Sequence, residues 1–553
     1  MADTPKLKNT VGDTIQFGTL PETDREFVVN ALKKGANRRQ VMGWLMAMGA
    51  TITSAGLIVT SASQAIAATP KKGGAVRFAH DLHGPNDTLD PLRFESTMDY
   101  TRGRIIYNNL CRLKEDLTAG PELAESFEAN PTATEWTFKL RKDVEWHDGS
   151  KLTADDVIYS MNRHIGKDTI SKAKVLVGDV TEWKKDDEHT VRAILKAPNA
   201  ELPVVLGTFH FKIVKDGTTD FSKPVGTGPF TVDEFKPGVR SVHSRNDNYW
   251  NDQGGPHLDR IEAFGITDGV ARVNALIAGN VQMITNLDPK AVAQVEAAAG
   301  AEVFVVPSGV TMDIISRTEN NYAGANHYHF DSALKYLQRR DRILKVVQKG
   351  IGAIGNDQPV GEAYGAAWCK EANDPPRPYD PDKAKFHFKK CGITSAELKV
   401  ADVAPGIADI ALMLQRECVK VGFDLQIKKV PNDGYWGAIW NKDPLSVASW
   451  NMRPSANIMM TLRMKSDAPW NDSAFKNERF DQLLAMARAE LDDKKRYEMN
   501  CEMQKLAADG SGNIIPVHRA YTDGISSKVK GLPRVPIGAM GGVEWPEFVW
   551  LDS

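Results

Sequence analysis

A mixed α/β (α+β) chain built of several subdomains is what this sequence predicts, and three observations predict it. Short runs with the two-residue period of a strand are interleaved with helical segments, and no strict repeat orders them. The 553 residues amount to about four typical domains of ~150. With 42% hydrophobic and 25% charged residues and a net charge of -2, the composition is that of a globular chain and excludes a basic nucleic-acid coat or an acidic disordered tail.

The N-terminal segment reads as an export leader. After the basic pair of Asn37-Arg38-Arg39-Gln40 no charge occurs until Lys71, and the uncharged run passes through Ala65-Ile66-Ala67, a small-residue cleavage site. The paired arginines resemble a twin-arginine signal, although Val41-Met42 replaces a bulkier apolar pair and Gly43 a common lysine. A membrane anchor competes, because the run exceeds the ~20 residues that span a bilayer. Thr51, Thr53, Ser54, Gly56, Thr60, Ser61, Ser63 and Gln64 weaken that reading. Residues 1–67 are expected to be a signal peptide cleaved near Ala67, giving a periplasmic protein. The leader carries seven of the 69 basic and five of the 71 acidic residues, leaving 62 against 66, a charge of -4.

Beyond the leader, Gly73 to His80 alternates as a strand, and Leu89-Asp90-Pro91 breaks the chain. Thr137 to Arg141 alternates again and leads to His147-Asp148-Gly149, whose Asp-Gly pair marks a tight turn. Thr153 is placed as an N-cap, with Asp155 and Asp156 in the first turn and Val157, Met161 and His164 on one face. Helices are expected at Arg272 to Ala278, at Asp331 to Gly350, through Leu412 and Cys418, and at length from Glu478 to Leu506. Pro375 to Pro381 is stiff and extended before a helix at Lys383 to Lys390. Phe423 to Val430 and Ile514 to Val517 read as strands.

Several chemistries find no support. The five cysteines, Cys111, Cys369, Cys391, Cys418 and Cys501, contain no C-x-x-C pair, and their odd number leaves at least one thiol free. Cys369 and Cys391 bracket 21 residues and are the pair singled out for a bridge in an oxidising compartment. Gly350-Ile351-Gly352-Ala353-Ile354-Gly355 matches a dinucleotide fingerprint but follows a helix, and Pro359 stands where its own helix should begin. His327-Tyr328-His329 would offer two metal ligands on a strand, with solvated loop histidines as the default. No G-x-x-x-x-G-K-[ST], H-E-x-x-H or G-x-S-x-G occurs.

The run from Phe138 to Ser160, FKLRKDVEWHDGSKLTADDVIYS, closely resembles the signature of extracellular solute-binding proteins of the peptide/nickel/opine type (family 5). It is joined in order by Leu89-Asp90-Pro91, Pro121 to Ser126, Gly226-Thr227-Gly228-Pro229-Phe230, Asn248-Tyr249-Trp250, Arg272 to Gly279, Tyr379 to Ala384, Val421-Gly422-Phe423 and Ile515-Pro516-Val517. Gln282 departs from the pattern, which usually has an acid there. The resemblance implies a two-lobed periplasmic binding protein fold with an extra subdomain on the first lobe. Lobe I would be residues 68–312 and 510–553, with the subdomain at about 111–222, and lobe II residues 313–509.

The same resemblance implies a substrate-binding component of an ABC importer, closing on a small solute and delivering it to membrane permease subunits. It further implies a monomer with no catalysis, cofactor, metal or nucleic-acid partner of its own. Its ligand contacts would fall on Glu95, Ser96 and Thr97 of the first lobe, on Arg317 at the interlobe crossing, and on Trp436, Trp450, Asn451 and Arg453 of the second. Hinge packing is the alternative for Arg317, and core packing for Trp436. Dipeptide binders carry an aspartate soon after the loop tryptophan, yet no acid occurs between Trp450 and Met464. Arg453 stands there instead, suited to a carboxylate or phosphate. A metal-chelate or haem receptor of the same fold is the alternative, and a periplasmic hydrolase the more distant one.

Overall fold

The structure, a computed structural model, describes residues 45, 70–81, 83–171, 173–251, 255–432 and 434–552. The expected leader, residues 1–67, lies outside the described residues apart from Leu45. Gly73–Val549 is one compact unit.

Strand β1 (Ala75–His80) opens this unit, and a hairpin of β2 (Cys111–Leu113) and β3 (Ala119–Pro121) follows. The four strands β4 (Ala124–Ala129), β5 (Glu135–Leu140), β6 (Val180–Asp187) and β7 (Thr190–Leu195) then form a separate antiparallel sheet in the order β4-β5-β7-β6. Its buried face, which includes Trp136, Phe138, Trp183 and Val191, packs on the helix Ala154–Asn162.

The large sheet is built from both ends of the unit. It takes β8 (Phe230–Lys236), β9 (Arg240–Arg245), β10 (Arg260–Gly265), β11 (Met283–Ile284), β12 (Ala301–Ser316), β13 (Ala353–Ile354), β14 (Ser395–Val400), β15 (Asp424–Lys429), β16 (Leu445–Trp450) and β17 (Asn513–Ser526). Its order is β15-β14-β16-β12-β17-β11-β1-β10-β9-β8, with β13 also on β17. The long antiparallel pair β12 and β17 therefore stands between two groups of strands, and each group contains parallel pairs, β14 with β15 and β1 with β10.

Local chemistry accounts for the elements that resemble the family signature. The Trp146 carbonyl accepts the Gly149 N–H at 2.8 Å across the Asp-Gly turn, where Gly149 adopts φ 84°. Thr153 and Asp156 form a reciprocal capping box on the next helix, the Thr153 N–H donating to Asp156 at 2.8 Å. Gly226 and Gly228 press on the backbone at Ile106, where a Cβ on Gly226 would lie 1.9 Å from the carbonyl oxygen.

Four local expectations need correction. The segment Asp331 to Gly350 is two helices, His327–Tyr336 and Arg340–Val346. The carbonyls of Leu334 and Lys335 accept from the side chains of Gln338 and Arg340, and the buried Arg340 also binds Asp357 at 2.6 Å, which turns the chain out of helical register. The segment Glu478 to Leu506 is likewise divided, into Glu478–Ala489 and Asp493–Gly510. Asp492 caps the second by accepting the Lys495 N–H at 3.0 Å. His327 and His329 begin a helix rather than a strand, and His329 Nδ1 lies 2.9 Å from His387 Nδ1.

The disulfide joins Cys369 to Cys501, with Cα atoms 5.0 Å apart, not to Cys391. Cys391 ends the helix Pro381–Cys391 inside an apolar cluster that also holds Cys418, while Cys369 lies against the helix Asp493–Gly510.

Candidate functional site

The large sheet carries a cleft of about 810 Å³. Its floor comes from the crossing strands, through Val310 of β12 and Arg519, Ala520, Tyr521 and Thr522 of β17. One wall is the segment 267–294 with Asp81. The other is the loop 403–405 with Trp436, Ser449 and Asn451. Val310 and Arg519 are register partners, and β12 is irregular between Val306 and Val310. That bulge turns Ser308 and Gly309 toward the loop after β16, where the Gly309 N–H meets Met452 Sδ at 3.1 Å.

The 267–294 wall is electrostatically self-contained. Arg272 donates to the carbonyls of Thr285, Ile266, Thr267 and Asn286. Asp81 accepts from Thr285 at 3.1 Å and Asn286 at 2.7 Å and pairs with His80 at 2.8 Å, and these partners outweigh burial and hold its carboxyl well below the usual range. Asp268 caps the helix Gly269–Ile277, and Asp288 accepts the Lys290 N–H.

The opposite side differs. Trp436 lines the cleft and is 48% exposed. Behind it run Trp440, at 5.5 Å between ring centroids, then Trp450 at 6.0 Å and Trp470 at 6.1 Å. Asp472, wholly buried, accepts from both Trp450 Nε1 at 2.8 Å and Trp440 Nε1 at 3.2 Å. Trp450 is consequently a buried residue beneath the wall, with Arg463 over its ring at 5.2 Å and Arg453 at 5.8 Å.

Asn451 stands in the lining, and Arg453 follows two residues later. The backbone N–H of Arg453 donates to the Tyr364 hydroxyl at 3.1 Å, but its side-chain Nε is buried without a hydrogen-bond partner. Burial lowers the pKa of its guanidinium, opposed by the phenols of Tyr364, Tyr100 and Tyr521, and no carboxylate is among the groups that act on it. His210, near the same guanidinium, is driven down to about 4, by burial first and by Arg453 next, and so is neutral. Among the described residues this half-buried cation is surrounded by phenols and a neutral imidazole and has no carboxylate partner, the counter-charge that burial calls for.

The remaining expected contacts are placed elsewhere. Ser96 caps the helix Thr97–Ile106 by accepting the Asp99 N–H at 3.1 Å, Thr97 is that helix's first residue, and Glu95 is exposed; none lines the cleft. From the same helix it is Tyr100 that acts on Arg453, its ring stacked on Phe209 at 4.4 Å. Arg317 binds Asn441, the carbonyl of Asp472 at 3.2 Å and Glu319 at 3.0 Å, all outside the lining. Arg519 and Tyr521, two apart on β17, were not anticipated. Their only sequence signal is strand alternation just after Ile515-Pro516-Val517.

Residues 118–472 match the family model for bacterial extracellular solute-binding proteins, family 5. The chain belongs to that family. This family-5 protein is 26% identical over 506 residues to the dipeptide-binding protein of Escherichia coli K12, an alignment covering 82% of this chain and 91% of that one. It is 24% identical over 492 residues to heme-binding protein A of Haemophilus influenzae, covering 81% and 88%. Among solved structures, HbpA2 from Haemophilus parasuis superposes with a TM-score of 0.76 at 19% identity, covering 87% of this chain and all of the other. AgaA of A.tumefacien R10 in complex with agropinic acid superposes at 0.70 with 22% identity, covering 87% and 99%. The fold of this family-5 protein is thus that of two-lobed periplasmic binding proteins. Among the described residues no helix is long and apolar enough to cross a membrane.

Proposed function

We propose that this family-5 protein is the periplasmic receptor of an ABC importer, closing residues 68–312 and 510–553 as one lobe on residues 313–509 as the other around a small polar or anionic solute. Export through the leader 1–67, a monomeric state and delivery to membrane permease subunits belong to the same reading, which assigns the protein no catalytic step. The observation that carries it is the half-buried Arg453, whose Nε is buried with no hydrogen-bond partner among the described residues, two residues beyond Asn451 in the lining of a cleft of about 810 Å³. An anionic group on the solute would supply the missing partner, and such a charge-assisted bond contributes roughly 1.5–3 kcal/mol. Asn451 offers neutral hydrogen bonds and Trp436 an apolar face. The loop provides no acid to hold the ammonium of an ordinary dipeptide.

Native mass spectrometry of protein purified from the periplasm should show a co-purified small molecule, and that molecule should compact the protein in small-angle scattering. Calorimetry with it on wild type and Arg453→Ala should differ by ~2 kcal/mol. Equal affinity in the two proteins, or tight binding of simple dipeptides, refutes the anionic reading, and turnover of the solute refutes the receptor reading. Kinship with heme-binding protein A makes haem the alternative cargo. Visible absorbance of the purified protein tests it.

A further inference from the structure

Arg519 is a second guanidinium, and unlike Arg453 it lines the cleft itself. It lies in β17 opposite Val310, and both residues line the cavity. Among the described residues its side chain makes no hydrogen bond or ion pair, and burial lowers its pKa, with Tyr521 and Asp288 opposing. The Tyr521 phenol, also in the lining, is acted on by both Arg519 and Arg453, so the two guanidinium groups share one neighbour although Arg519 lies within β17 and Arg453 in the loop after β16. The acids of the lining sit on the other wall or at its margin, and each already accepts from a neighbouring donor.

One carboxylate is filled by one guanidinium fork, so two unfilled forks, Arg519 in the lining and Arg453 two residues beyond the lining residue Asn451, call for two anionic groups. We propose that the solute is a dianion, with one carboxylate or phosphate on Arg519 and a second on Arg453, separated by a short spacer that passes Tyr521. The proposal rests on the receptor reading above and narrows its substrate class. A divalent metal chelate or a haem would fit only through free acidic groups of this kind.

The test uses the full mature protein and a defined panel. Calorimetry is run with the α,ω-dicarboxylates from succinate to suberate, the monoamide of each, 3-phosphoglycerate, glycerate and di-alanine, on wild type, Arg519→Gln and Arg453→Gln. At least one dianion should bind wild type, and its singly charged counterpart should bind at least tenfold more weakly. Arg519→Gln should bring the two within about twofold while its melting temperature stays at the wild-type value. Preference for 3-phosphoglycerate over the dicarboxylates would assign one subsite to phosphate, and the reverse would assign both to carboxylates. Equal binding of dianion and monoanion to wild type, undiminished discrimination in Arg519→Gln, or no binding by any dianion overturns the proposal. Compaction by di-alanine alone would overturn it while leaving the receptor reading standing. If Arg519→Gln fails to fold, the Arg453→Gln comparison decides in the same way.

Discussion

The hydroxyl of Tyr364 accepts the backbone N–H of Arg453 at 3.1 Å. Tyr364 belongs to the 3-10 segment Glu362–Ala367, and its ring lies where a Cβ on Gly309 would come within 2.6 Å. One phenol thereby ties the loop after β16 to the bulge of β12. In Tyr364→Phe the buried amide of Arg453 loses its acceptor, which should cost about 1–3 kcal/mol in urea unfolding. An unchanged midpoint would show that water replaces the hydroxyl.

The Cys369–Cys501 bridge closes a separation of 132 residues, for which the chain-entropy account gives about 5 kcal/mol as an upper figure. Cys501→Ser should lower the melting temperature and abolish its sensitivity to reductant. Cys391→Ser should leave that sensitivity intact. Reductant-insensitive melting of the wild type would refute the bridge.

Asp313 is wholly buried, and burial raises its carboxyl to about 7, with Arg463 at 3.1 Å opposing and Asp472 reinforcing the rise. An unfolded aspartate titrates at about 3.9. Between those values the native chain holds a proton that the unfolded chain has released, so this group's contribution to stability falls as pH rises from about 4 to about 7 and is level above. Compared with Asp313→Asn, the wild type should therefore lose stability across that window in denaturant titrations. A pH-independent difference between the two proteins would mean that Asp313 is ionised throughout.

Trp436 and Trp470 are the two exposed ends of the tryptophan row, and Trp436 is the member that lines the cleft. Ligand should lower the fraction of fluorescence that iodide can quench, and Trp436→Phe should remove most of that change. Equal protection in the variant would move the ligand away from this wall.

N-terminal sequencing of the exported protein should begin at or near Ala68. Replacing Arg38 and Arg39 by lysine should leave precursor in the cytoplasm if export uses the twin-arginine route. Undiminished export would assign the general secretory route.

The family and fold were legible because the signature residues are those whose backbone duties are local: the Asp148-Gly149 turn and the Thr153 capping box need only their neighbours in sequence. The helix breaks after Tyr336 and Ala489 were not legible, because they depend on what Gln338, Arg340 and Asp492 choose to bond. Spacing along the chain could not reveal that Cys369 meets Cys501, nor that Arg519 meets the cleft. An arginine within a strand has no motif, and only the register with Val310 gives it a place. Trp450 was legible as a loop anchor, but its bond to Asp472, 22 residues away, puts it under the wall rather than in it.

Strand β17 lies between β12 on one side and β11 and β13 on the other. A chain cut at residue 512 holds every other strand of the large sheet, yet no strand pairing joins β12 to β11. The same late strand brings Arg519 and Tyr521. The floor of the cleft is therefore completed only by the last strand of the large sheet in the sequence, and a chain ending before residue 513 lacks both of these lining residues.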